Sequence, residues 1–165
     1  MKRSADTTGK AGVMSKSPNT LAMKEIESET TAVWVALNLA YRSVHREMEK
    51  ALKEAGLPSL RWYDVLWELE RSRDGMRPFE LENGLLFEQS NLSRMLRRIV
   101  DEGLIEAFAY EGDGRGKVLR ITAKGRRLRK RMWQIYGPQI ESHFGKIVDA
   151  NKAGKLVSIL KPLIF

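Results

Sequence analysis

The sequence predicts a mainly α-helical domain that carries one small β-hairpin. Apolar residues recur at helical spacing along most of residues 25–165, and the alternating, glycine-rich stretch around 105–121 is typical of a hairpin. Positive charge is concentrated in one part of the chain. Residues 88–131 contain twelve Lys or Arg and six Asp or Glu, so they hold +6 of the net charge of +8. A local basic surface of this kind is typical of a domain that neutralises phosphate groups.

Size and composition restrict the class of protein. The 165 residues, 42% of them hydrophobic, can bury one core. No apolar run reaches the roughly 18 residues that a membrane span requires, and no apolar signal core opens the chain. The absence of cysteine excludes disulfides and thiolate metal sites. We therefore expect a cytoplasmic protein with no membrane association and no cofactor. Residues 1–24 predict a disordered basic arm, and residues 25–165 a single domain.

The first helix is expected from about Glu25 to Glu54, an interval without Gly or Pro. Val35 and Leu39 fall opposite its main apolar stripe, which indicates a second packing partner, plausibly another subunit. Residues 56–58 break this helix. Ser59 is placed to cap the next one, from Leu60 to Leu69, whose apolar residues cover most of its circumference and predict a central position.

A short helix is predicted from Pro78 to about Asn83, with Gly84 as its stop. The helix after it, from Glu88 or Gln89 to Glu102, has one apolar stripe that consists of Leu92, Met95, Leu96, Ile99 and Val100. Its other side carries hydroxyl and amide groups near the N-terminus and arginines further along.

The hairpin is expected to pair residues 105–110 with residues 117–121 across a loose turn at 111–116. Thr122 can cap a final long helical region, which Gly137-Pro138 should kink or briefly break. One more short helix follows Asp149 and ends near Pro162. The order is that of a helix-turn-helix followed by a wing, held between terminal helices.

The helix that begins near Gln89 has the width and polarity to enter a DNA major groove, where base edges differ in their donors and acceptors. In helix-turn-helix docking the N-terminal residues of this helix contact bases. That geometry selects Gln89, Ser90, Asn91, Ser93 and Arg94. Arg97 and Arg98 are expected to meet phosphates or base edges.

The motifs from Asn91 to Gly125 resemble the MarR family of winged-helix transcription regulators. They are Asn-Leu-Ser-Arg-Met-Leu at 91–96, Asp-Glu-Gly-Leu-Ile-Glu at 101–106, Asp-Gly-Arg at 113–115 and Ile-Thr-Ala-Lys-Gly at 121–125. The resemblance implies a homodimer formed by helices at about 25–54 and 124–165. Its lobes, about 59–122, would bind double-stranded DNA at a pseudo-palindromic operator.

By position in these motifs, Arg115 resembles the wing arginine that enters the minor groove, Asp113 its orienting partner and Lys117 a further contact. Two departures from the family pattern stand out. Ala107 occupies a place where an arginine is frequent, and Glu88 one where a Ser or Asp cap is usual.

Members of the family commonly bind small aromatic or phenolic acids between the dimer helices and the lobe. Aromatic residues on the first two helices suggest such a site: Trp34, Tyr41, Trp62, Tyr63 and Trp67. Arg61 or Arg42 could pair with an effector carboxylate, and His45 could assist. Packing in the core is the other reading of these aromatic side chains.

We therefore expect a dimeric repressor that a small effector releases from DNA. The alternative is a winged-helix protein-interaction module or antirepressor without specific DNA readout. An enzyme is not expected, because His45 and His143 lie outside any metal-ligand spacing and no nucleophile motif is present.

Overall fold

The structure, a computed structural model, describes residues 28–85, 89–109 and 116–164, without the side chains of Gln89 and Ser90. The predicted N-terminal arm and the wing residues Asp113 and Arg115 lie outside the described residues. The chain divides into two compact units, residues 1–42 and 43–165, and the boundary falls inside the first helix.

The described elements confirm the predicted mainly α class with one small hairpin. In chain order they are α1 (Glu29–Glu54), α2 (Leu60–Arg71), α3 (Pro78–Leu85), α4 (Gln89–Asp101), β1 (Ile105–Ala109), β2 (Lys117–Ile121), α5 (Ala123–Ile140) and α6 (Ala150–Leu160). A π-helical turn, Glu141–Gly145, follows α5, and a 3-10 turn, Lys161–Leu163, follows α6.

The first unit is described from Ser28, one residue before α1 starts. The Ser28 hydroxyl accepts a hydrogen bond from the Thr31 amide at 3.2 Å, which satisfies one of the N–H groups that a helix start leaves without a partner. Among the described residues of this unit, four large apolar or aromatic side chains are exposed, namely Val33, Trp34, Leu37 and Tyr41.

Two apolar clusters form the core of the second unit. The larger one joins α2, α3, α4 and the hairpin, and includes the buried stripe of α4. Its members are Val65, Leu66, Leu69, Leu81, Leu92, Leu96, Ile99, Leu104, Ile105, Leu119 and Ile121. The smaller cluster joins the C-terminal part of α1 to α2 and α5 through Met48, Leu52, Leu60, Tyr63 and Met132. Helix α2 contributes to both clusters, which accounts for its nearly complete apolar circumference.

The hairpin is antiparallel, with Ile105 opposite Ile121 and Ala109 opposite Lys117. A further rung, which the sequence did not indicate, connects Met76 to Leu119 through N–H to oxygen distances of 3.0 and 2.8 Å. Gly75 makes this approach possible. Its φ is +84°, and a Cβ there would lie 2.6 Å from the Leu119 carbonyl oxygen.

The predicted cap of α2 is wrong in one respect. Ser59 occupies the N-cap position, but its side chain makes no capping hydrogen bond. The Leu60 amide instead donates to Oε1 of Glu49, on α1, at 3.0 Å. A carboxylate from a neighbouring helix thus takes the place of the hydroxyl. Its negative charge also interacts favourably with the positive end of the α2 dipole.

Two predicted helix ends also need correction. Helix α3 runs through Gly84 to Leu85, because a glycine lowers helix propensity without preventing helical geometry. Helix α5 continues through Gly137 and Pro138 to Ile140, and the irregular part is the π-helical turn after it. Pro138 lacks an N–H to donate to the preceding turn, and the wider π-helical turn begins three residues after it, at Glu141.

Candidate nucleic-acid interface

Helix α4 presents one buried and one exposed face. Leu92, Leu96 and Ile99 are buried against the lobe core, and Met95 and Val100 are half-buried. The side chains of Asn91, Ser93, Arg94, Arg97 and Arg98 are exposed. The core therefore fixes the roll of the helix, and this roll turns the polar residues and arginines outward.

The end of α4 positions the hairpin beside it. Gly103 has a φ of +66°, and the Leu104 amide donates to the Ile99 carbonyl oxygen at 3.1 Å in a helix-terminating turn. Leu104 and Ile105 are then buried, so β1 starts in contact with the same core as α4. Lys117, at the start of β2, is exposed.

A second connection holds β2 to the loop before α3. The Arg120 Nε donates to the Asp74 carbonyl oxygen at 3.1 Å, and its guanidinium carbon lies 5.3 Å from the centre of the Phe108 ring. Together with the Met76 rung, this contact links the hairpin to the helix-turn-helix at two neighbouring points. Arg120 is thus a positioning residue that the sequence did not single out.

A basic cleft of about 800 Å³ lies beside the end of α4. Four cationic residues line it, Arg98, Lys124, Arg127 and Arg131, together with the indole of Trp62. The Arg98 guanidinium carbon lies 5.9 Å from the centre of the Trp62 ring. One residue expected to contact DNA and one expected to contact an effector therefore meet in one cleft.

The other aromatic residues of α2 lie in a different cavity, of about 510 Å³, against α5. Its lining consists of Tyr63, Asp64, Trp67, Arg129, Trp133 and Tyr136. Trp133 and Tyr136 were missed at the sequence level, although their i, i+3 spacing on α5 matches the i, i+4 spacing of Tyr63 and Trp67 on α2. Arg61, expected to pair with an effector, is exposed and does not line this cavity.

The remaining candidate ligand residues lie on α1. Trp34, Tyr41 and Arg42 belong to the first unit and are exposed. His45 belongs to the second unit, where its Nε2 lies 3.8 Å from Oε1 of Glu49. Of the candidates in the second unit, Tyr63 and Trp67 line the aromatic cavity and Trp62 lines the basic cleft.

Other kinds of site find no support in the described part of the chain. It contains no group of three or more histidine or acidic side chains that could hold a metal ion. None of its helices is both long and apolar enough to cross a bilayer.

Comparisons with known proteins find similarity in the part of the chain that contains α2, α3, α4 and β1. A model described as the MarR family matches residues 55–116. Multiple antibiotic resistance protein MarR of Escherichia coli is 28% identical over 87 residues, which are 53% of this chain and 60% of that protein. Transcriptional activatory protein BadR of Rhodopseudomonas palustris is 25% identical over 108 residues, 64% of this chain and 59% of that protein. The chain therefore spans about three fifths of these curated relatives.

Solved structures resemble the chain over a larger share. AbsC, a MarR family transcriptional regulator from Streptomyces coelicolor, has a TM-score of 0.74 at 23% identity, and covers 84% of this chain and 95% of its own. A mutant MarR from E. coli complexed with operator DNA gives 0.71 at 21% identity, with 83% and 96% covered. CouR from Rhodococcus jostii, bound to p-coumaroyl-CoA, gives 0.72 at 19% identity, with 85% and 96% covered. At these identities the likeness shows a common fold.

Proposed function

We propose that the chain is a member of the MarR family of winged-helix proteins and a sequence-specific DNA-binding transcription regulator that acts as a homodimer. Proteins of this family are regulators and not enzymes. The observation that carries the proposal is the orientation of α4, whose buried leucines leave Asn91, Ser93 and Arg94 on the exposed face. The MarR mutant in complex with operator DNA has the same fold, which supports DNA as the ligand.

In the proposed complex, α4 enters the major groove. Its N-terminal residues read base edges: Gln89, Ser90, Asn91, Ser93 and Arg94. Arg97 and Arg98 neutralise phosphates. The hairpin brings Lys117 to the backbone, and Arg115, oriented by Asp113, enters the minor groove, where the negative potential favours an arginine. The packing of the hairpin root on the α4 core supports this pairing of helix and wing.

Exposed apolar side chains support a homodimer. On α1 they are Val33, Trp34, Leu37 and Tyr41, and near the C-terminus they are Leu156, Val157, Ile159, Leu163 and Ile164. Large apolar groups exposed in this number are unfavourable in water and are typical of an interface. A symmetric dimer would place two α4 helices in successive major grooves about 34–36 Å apart, which requires a pseudo-palindromic operator.

We further propose that the protein represses transcription and that a small aromatic effector releases it from DNA. The aromatic cavity between α2 and α5 supports an aromatic ligand, and CouR binds p-coumaroyl-CoA on the same fold. The effector would act through a higher affinity for a dimer whose lobes do not fit the operator. Transcription in vitro from the protein's own upstream DNA should fall when the protein is added. A rise would make it an activator, as the name of BadR describes that relative.

The central test is a fluorescence anisotropy titration of duplexes from the upstream DNA. Specific binding should exceed binding to scrambled duplex by about 10³-fold or more and should weaken steeply with salt. Replacement Arg94→Ala should cost about 1–3 kcal/mol of binding free energy and relax base preference.

Arg46→Ala is the matched control, because Arg46 is an exposed arginine of α1 that lies 3.7 Å from Glu47. It removes the same charge from a helix that is not proposed to enter the groove, so it should leave base preference unchanged. Equal, sequence-blind affinity for all duplexes would instead favour a protein-interaction module or antirepressor.

A further inference from the structure

The aromatic cavity has an ordered wall of four rings. Tyr63 stacks with Trp67 and with Trp133 at centroid distances of 6.2 and 6.1 Å, and the ring planes are within 10° and 21° of parallel. Tyr136 meets Tyr63 and Trp133 edge to face at 5.1 and 5.6 Å. Tyr63 is buried, whereas Trp67 and Trp133 are 39% and 45% exposed, so the wall is open to a ligand. A volume of about 510 Å³ suits a small organic molecule.

Arg129, a cation that lines the cavity, is already paired. Nε of Arg129 lies 2.5 Å from Oε2 of Glu70, and only 11% and 22% of the two side chains are exposed. This contact is an ion pair without the alignment of a hydrogen bond. The Arg129 guanidinium carbon also lies 5.2 Å from the centre of the Trp67 ring. Arg129 is therefore committed to the wall and is poorly placed to bind an anionic ligand.

Asp64, the carboxylate that lines the cavity, is not paired in this way. No residue in the described part of the chain donates a hydrogen bond to Asp64 or forms an ion pair with it. Burial raises the pKa of Asp64 to about 6, Glu49 and Glu68 raise it as well, and His45 lowers it. A partly desolvated carboxylate without a donor lowers its free energy when a cation binds to it.

We propose that this cavity binds a lipophilic organic cation, an aromatic quaternary ammonium or protonated amine, whose charge faces Asp64 and whose apolar part lies on the aromatic wall. The exposed rings of Trp67 and Trp133 carry the negative part of the ring quadrupole on their faces, which attracts a cation. A carboxylate ligand would meet Asp64 as a like charge. This inference rests on the proposed function for the role of the ligand as effector, but the binding itself does not depend on DNA.

The test compares three monosubstituted benzenes of different charge, two of them isosteric, by calorimetry and tryptophan fluorescence at about pH 7.5. The probes are phenyltrimethylammonium, its neutral isostere tert-butylbenzene, and benzoate as the acid. The full-length protein should bind the cation at least about tenfold more tightly than either of the others. Tighter binding of benzoate would show that the cavity takes an aromatic acid and would overturn the proposal, as would no binding of any probe.

Asp64→Asn should weaken binding of the cation by roughly tenfold or more and leave binding of tert-butylbenzene unchanged. Asp74→Asn is the control, because Asp74 is exposed and does not line the cavity. Unaltered affinity in Asp64→Asn would overturn the proposal, and circular dichroism verifies that each variant is folded.

Binding should weaken between about pH 7 and pH 5, because protonation of Asp64 removes the attractive charge. The other charged groups around it are His45 and Glu49 from α1, Glu68 from α2 and Arg129 from α5. Affinity for the cation that is independent of pH in this range would contradict the role of Asp64.

A separate titration of DNA with and without phenyltrimethylammonium distinguishes the two proposals. Binding of the cation without any specific binding to DNA would contradict the regulator and leave the cavity assignment intact. Specific DNA binding combined with no binding of the cation would support the regulator and contradict the cavity assignment.

Discussion

Gly125 tests how α5 is seated on the hairpin. It lies in the first turn of α5, where its amide donates to the Thr122 hydroxyl oxygen at 3.0 Å. A Cβ at this position would overlap the Leu104 carbonyl oxygen and lie 2.8 Å from Cγ1 of Ile121. The Leu104 oxygen cannot move freely, because it accepts hydrogen bonds from the Thr122 amide and hydroxyl, both at 3.0 Å.

Gly125→Ala should therefore destabilise the fold in spite of the better helix propensity of alanine. That propensity would contribute about 1 kcal/mol in favour of the variant. Against it, overpacking costs about 1–3 kcal/mol, and each hydrogen bond lost when α5 separates from Leu104 costs about 1 kcal/mol. We expect a net loss of about 1–3 kcal/mol in the free energy of unfolding.

The assay is urea unfolding at a fixed protein concentration, since a dimer makes stability depend on concentration. Gly84→Ala is the matched control, because Gly84 lies in helix α3 and a Cβ there would meet nothing within 4 Å. That variant should gain up to about 1 kcal/mol. If Gly125→Ala proves as stable as the unaltered protein or more stable, the close seat of α5 on Leu104 is refuted.

Three further changes test the packing and the cavity. Glu70→Gln should cost about 2–4 kcal/mol of unfolding free energy, because it leaves Arg129 buried without its counter-charge. Glu68→Gln removes a more exposed pair, with Arg71 at 3.6 Å, and should change the unfolding free energy by less than about 0.5 kcal/mol. Equal losses of the two variants in urea unfolding would contradict this difference. Because the pKa of Asp64 is raised to about 6, its contribution to stability is present at low pH and is lost as pH rises from about 4 to about 6. Asp64→Asn should therefore unfold at a higher temperature than the unaltered protein above pH 6 and at the same temperature near pH 4. A constant difference at all pH values would refute this linkage. Gly75→Ala should cost about 2 kcal/mol or more, because φ is +84° and the added methyl meets the Leu119 carbonyl oxygen, so an unchanged urea midpoint would exclude the close contact.

The parts of the fold that were predictable depend on patterns within one element. The stripe from Leu92 to Val100 specified both the length of α4 and its buried side, because five apolar residues at helical spacing leave little choice of roll. The hairpin followed in the same way from alternation on both sides of a glycine-rich turn. Gly103 marked the end of α4 because its left-handed conformation is common after a helix.

The parts that were not predictable depend on contacts between elements. Glu49 caps α2 from eleven residues away, and Met76 pairs with Leu119 across more than forty, so no local pattern distinguishes these residues from their neighbours. Tyr63 and Trp67, on the α2 side of the aromatic cavity, were candidate ligand residues from the sequence. The α5 side of the cavity and the positions of Asp64 and Arg129 depend on the way in which the two helices face each other.

The rung between Met76 and Leu119 has a consequence for solubility. Strands at the border of a sheet offer unpaired amides and carbonyls that can recruit another polypeptide, which is one route to aggregation. With β1 on one side and Met76 on the other, the middle of β2 has both borders occupied. Within the described residues the other edge of β1 has no paired strand, and β1 is only five residues long, which limits the template that it offers to another chain.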